Sequence, residues 1–97
     1  MSITVLLELR FKPESVAAAR QVMGAALKDT RNFEGNLATH VIVDEEDDAH
    51  WIIYERWDSV DHDEAYRSFR AGEGKLVDLP PLLAAPPVKT RYLDTDV

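Results

Sequence analysis

His50-Trp51-Ile52-Ile53-Tyr54-Glu55-Arg56-Trp57-Asp58-Ser59 is the stretch on which the fold turns. Its first eight residues alternate. Trp51, Ile53, Glu55 and Trp57 share one face of an extended chain, and His50, Ile52, Tyr54 and Arg56 share the other. Asp58-Ser59 then supplies a helix N-cap, with Asp61 and Asp63 in the first turn, where the helix dipole favours acids. The helix that follows carries His62, Ala65, Tyr66 and Phe69 at i, i+3, i+4 and i+7, one stripe that includes a histidine. A strand therefore runs directly into an amphipathic helix.

Upstream, residues 37–43 form a second strand, joined to residues 50–57 by Asp44-Glu45-Glu46-Asp47-Asp48. Five like charges repel and cannot pack, so this run is expected as an exposed connection closing a hairpin. Before it, Phe33-Glu34-Gly35-Asn36 breaks a helix expected over residues 13–31, whose stripe is Val16, Ala19, Met23, Ala26, Leu27 and Thr30. Residues 3–11 alternate as the first strand, ended by Lys12-Pro13. Downstream, Gly72-Glu73-Gly74 stops the second helix, residues 76–79 are expected to add one helical turn before Pro80-Pro81, and residues 88–93 alternate as a last strand. The order β-α-β-β-α-β predicts an α+β, ferredoxin-like split arrangement: a four-stranded antiparallel sheet with both helices on one face, one domain over residues 1–97. The strands offer apolar residues to both faces, as with Leu6 beside Leu7 and Ile52 beside Ile53. A homodimer through the uncovered sheet face is the expected remedy.

Ninety-seven residues hold eighteen acids and eleven bases, a net charge of −7. That balance excludes a nucleic-acid partner, which needs a basic face, and opposes an anionic membrane. The charge is local: residues 44–64 contain ten acids and one base. No cysteine is present, so disulfides, thiolate metal sites and a cysteine nucleophile are excluded. With no basic leader and no long apolar run, a cytoplasmic location is expected.

The order Phe33-Glu34-Gly35, acidic turn, Tyr54-Glu55-Arg56-Trp57-Asp58-Ser59 and amphipathic helix resembles the antibiotic biosynthesis monooxygenase family of dimeric α/β barrels. Glu55, Trp57 and Ser59 are the most specific part, and the resemblance covers about residues 3–93. It implies a homodimer with a cleft between sheet and helices in each subunit. It further implies oxidation of a small aromatic substrate by molecular oxygen, with no metal, flavin or haem. Relatives often place a histidine nine residues after the tryptophan, where this chain has Tyr66. His62, one turn earlier on the same face, is its potential replacement.

Three residues are candidates for catalysis. His62 either accepts a phenolic proton or is a polar group at the helix start, hydrogen-bonded to Asp58 or the local backbone; Trp57 either walls a planar substrate or anchors the helix; Tyr66 either donates to a substrate oxygen or reaches water at a core edge. Substrate-binding candidates are Asn36, Glu8, Arg10, Tyr54 and Phe69. His40 and His50 lie too poorly spaced from the acidic run for a dedicated metal site. The readings left open are an oxygenase and a non-catalytic ligand-binding or stress-response domain on the same scaffold. An open pocket lined by His62 and Tyr66 favours the first, and a filled gap behind Trp57 the second.

Overall fold

A computed structural model describes all of residues 1–97. Strand β1 spans Ile3–Arg10, helix α1 Val16–Asn32, strand β2 Asn36–Asp44, strand β3 Asp47–Trp57, helix α2 Val60–Ala71 and strand β4 Val88–Leu93. The sheet order is β2-β3-β1-β4, every pair antiparallel, as the ferredoxin-like reading requires. Pairing of Ile3 with Trp57 and Leu9 with Trp51 aligns the apolar face of β1 with that of β3. The helices cover this face only.

The core has two parts. Leu9, Phe11, Met23, Leu27, Trp51 and Ile53 belong to one cluster under α1. Ile3, Val5, Trp57 and Tyr66 form another under α2, joined by Phe33, Val60 and Phe69. Trp57 and Ile3 are fully buried. Edge-to-face contact between Phe33 and Tyr66, with centroids 5.2 Å apart, ties the turn after α1 to α2.

Three expectations change at the level of elements. The acidic run is exposed, but most of it is strand: Asp44 pairs with Asp47, leaving a turn at Glu45-Glu46. The aspartates make this possible by bonding their own backbone. Asp44 Oδ1 accepts from the Glu46 N–H at 2.9 Å, and Asp47 Oδ1 from the Ala49 N–H at 3.0 Å. Phe11 lies past the end of β1 and bridges to Leu83. A single turn forms at 76–79, where the Leu79 N–H donates to the Leu76 carbonyl at 3.3 Å, but it is not helix; a 3-10 turn follows at Pro80–Leu82, where the prolines stand at its first positions and need donate no hydrogen bond.

Residues 75–87 return across the helix side of the sheet. Lys12 holds this segment through its N–H to the Leu82 carbonyl at 2.9 Å and its Nζ to the Pro81 carbonyl at 2.9 Å. The Ala84 N–H donates to the Arg10 carbonyl at 2.8 Å. The segment thereby becomes a wall.

Candidate functional site

Between sheet, helices and this wall lies a cavity of about 650 Å³. Leu7, Leu9, Met23, Leu27 and Ile53 make its floor and one side, and Leu79, Leu83 and Pro87 belong to the wall. Thr30, Glu55, Tyr66, Arg67, Arg70 and Lys75 supply its polar groups.

The polar end grows from two helices and one strand. Thr30, in the last turn of α1, is fully buried and its hydroxyl oxygen lies 2.6 Å from the Tyr66 hydroxyl. Arg70, one turn beyond Tyr66 on α2, donates Nε to that hydroxyl at 2.8 Å. The guanidinium carbons of Arg67 and Arg70 lie over the Tyr66 ring, 4.8 and 5.2 Å from its centroid. Glu55 projects from the apolar face of β3 and is 2% exposed. Its Oε1 accepts from Trp57 Nε1 at 3.0 Å and from Arg67. Oε2 accepts no hydrogen bond from the protein and is left for the cavity that Glu55 lines. Two apolar walls, one carboxylate oxygen and a cluster of donors thus converge on one chamber.

Of the residues singled out from sequence, the structure brings Tyr66 alone to this chamber. His62 shares the face of Tyr66 but lies one turn earlier on α2, outside the lining. Its Nδ1 lies 2.7 Å from Ser59 Oγ, which also accepts the His62 N–H at 3.2 Å as helix cap, and its ring packs against Gly35. Trp57 is enclosed by its cluster, so the space behind it is filled while an open cavity stands beyond Tyr66. Phe69 packs against Phe33 at 5.4 Å and lies outside the lining. Asn36 accepts the Thr39 hydroxyl at 3.1 Å, and its buried Nδ2 has no partner. Glu8, Arg10 and Tyr54 point to the uncovered sheet face, because strand neighbours alternate sides. There His50 bridges Asp44 at 2.9 Å and Glu8 at 2.8 Å, and those hydrogen bonds, Asp44's first, hold its imidazole above the ordinary histidine value. Tyr54 stacks obliquely on His40, 5.9 Å away.

Glu55, Arg67 and Arg70 escaped the sequence reading as site residues. Glu55 left a signal: a carboxylate among Trp51, Ile53 and Trp57 on an otherwise apolar face. Arg70 left a weaker one, its i+4 spacing from Tyr66.

The sequence profile of the family described as "Antibiotic biosynthesis monooxygenase" matches residues 2–73. The chain belongs to the antibiotic biosynthesis monooxygenase family. Several solved structures share its fold. A protein from Mycobacterium tuberculosis is 19% identical, with a TM-score of 0.81 over 100% of this chain and 98% of the other. A conserved protein from Methanosarcina mazei is 18% identical, with a TM-score of 0.83 over 98% and 94%. A structure named antibiotic biosynthesis monooxygenase is 21% identical, with a TM-score of 0.81 over 96% and 98%. At these identities the likeness carries the fold alone. No curated protein matches the chain. No helix of this family member is long and apolar enough to cross a membrane.

Proposed function

We propose that the chain is a monooxygenase that binds a small aromatic or quinol-type substrate in the cavity and oxidises it with molecular oxygen. The supporting observation is the chamber itself: about 650 Å³, in the range of small-molecule sites, apolar along its length and polar at Glu55, Tyr66 and Arg70. Glu55 is the one carboxylate on the wall and takes the substrate proton. The Tyr66 hydroxyl and the Arg70 guanidinium face the oxygen on which negative charge develops. The substrate anion reduces oxygen and forms a carbon–oxygen bond. Loss of water from the resulting hydroperoxide leaves a carbonyl. One oxygen atom enters the product and the other leaves as water, with the substrate as the only reductant.

The experiment is oxygen uptake with anthrones, naphthols and hydroquinones, using isotopically labelled oxygen. One labelled atom per product molecule is expected. No uptake with any of them removes the oxygenase reading. The placement of His62 outside the chamber favours a second reading, a ligand-binding domain without turnover, which predicts binding of such molecules but no uptake.

We also propose a homodimer through the uncovered sheet face, for which the support is its apolar content: Ile42 is 53% exposed, Val88 54% and Tyr92 49%. Glu8, Arg10 and Tyr54 then belong to the contact. Light scattering is expected to give twice 11.0 kDa for the wild type and 11.0 kDa for Ile52→Asp. A monomeric wild type contradicts this arrangement.

A further inference from the structure

The chamber is lined by three cations, Arg67, Arg70 and Lys75, and by one carboxylate, Glu55, which pairs with Arg67. Arg67 is matched, by Glu55 and by Asp63. Arg70 is not. Its Nε donates to the Tyr66 hydroxyl, Nη1 to the Gly74 carbonyl at 3.0 Å, and Nη2 to the Ala26 carbonyl at 2.9 Å and the Thr30 hydroxyl at 3.3 Å. All four partners are neutral oxygens, and none of the ion pairs in the chain includes Arg70. One of its five N–H groups stays undirected. Lys75 also lines the chamber and has no side-chain partner, but it is exposed and answered by water. The chain has eighteen acids, so the unmatched guanidinium of Arg70 beside an apolar chamber is not for want of carboxylates. A partly buried guanidinium without a counter-charge is costly, and an anion beside it recovers that cost.

We infer that the chamber takes its ligand as an organic anion: a flat apolar body carrying one anionic oxygen group, held by Arg70 and Lys75 next to the Tyr66 hydroxyl. Arg70 is then the residue that sets specificity. Its charge and its one undirected N–H suit a carboxylate or phenolate oxygen, and the four neutral oxygens fix the guanidinium before the ligand arrives. A neutral ligand of the same shape leaves the cation unanswered and loses the charge-assisted bond. This inference rests on the cavity being the ligand site, and not on any reaction there.

The test is binding, read by tryptophan fluorescence, of 2-naphthoate against its neutral isostere 2-naphthamide at pH 7. The wild type is expected to prefer the anion by about tenfold or more. Arg70→Gln is expected to abolish the preference, Arg70→Lys to retain part of it, and Lys75→Gln to reduce it about twofold to threefold. Thermal unfolding checks that each variant is folded; should Arg70→Gln not fold, Lys75→Gln and a preference that weakens with added salt decide the matter. 4-Nitrophenol, read below and above its own ionisation, shows whether a phenolate serves as well as a carboxylate. Equal binding of naphthoate and naphthamide overturns the inference, as does binding of neither, or a preference that survives Arg70→Gln. An anion preference without oxygen uptake removes the oxygenase reading and leaves this one standing.

Discussion

Gly35 adopts φ +87°, and the place a Cβ would take there is filled by the His62 ring. Its carbonyl accepts the Asp58 N–H at 2.8 Å, so one residue seats the turn after α1 on the start of α2. Gly35→Ala adds left-handed strain to a steric clash and is expected to cost about 2 kcal/mol or more, read from the urea midpoint. A loss below about 0.5 kcal/mol contradicts this packing. The same contact explains the limit of the sequence at His62. Spacing of i and i+4 places it on the stripe of Tyr66, which is what the helix shows. Periodicity states which residues share a face, not what already occupies the space before it. Here the 33–36 turn occupies that space, and the chamber opens one turn further on. Glu55 shows the converse: its oddity on an apolar face was legible, but its partner Arg67 comes from another element.

Strand β4 is exposed along its length and is held by the ladder to β1, by Asp94 at its end and by ion pairs to α2, of which one centres on a buried charge. Asp63 of α2 is fully buried and meets Lys89 at 2.8 Å, Arg91 at 3.2 Å and Arg67 at 3.0 Å. Burial works to raise its carboxyl; the hydrogen bond from Lys89 and the charge of Arg67 more than offset this and leave it below the ordinary aspartate value. A depressed folded value contributes stability that is present above the unfolded value near about 4 and is lost as pH falls through the folded one. Asp63→Asn is therefore expected to lower stability by about 2 kcal/mol at pH 7, less than for a wholly buried pair because the cations are partly exposed. The difference is expected to shrink below about pH 4. A constant difference from pH 7 to pH 3 contradicts the role of the charge. From sequence, Asp63 reads as a first-turn acid serving the helix dipole. Only the pairing of β4 beside β1 brings Lys89 and Arg91 over it. Element order and strand faces were thus legible, because they follow from local periodicity. The extent of the acidic hairpin was not, since like charges argue for a loop until aspartate–backbone bonds are counted.

In the whole molecule, negative charge gathers on the β2–β3 hairpin and the start of α2, while the chamber is edged by cations. The apolar stripes that identified the sheet also continue onto its uncovered face, which is the support for the proposed second chain. The chamber was not foreseeable, because residues 75–87 lack periodicity and their course depends on Lys12 and Arg10. In the proposed function, chemistry belongs to this chamber and not to the histidine beyond it. Oxygen uptake with dithranol, an anthrone, tests it most directly in three proteins. Glu55→Gln is expected to lose about 100-fold in kcat, while His62→Ala keeps a rate within about twofold of the wild type. A collapse of the rate in His62→Ala, with Glu55→Gln unchanged, contradicts the account.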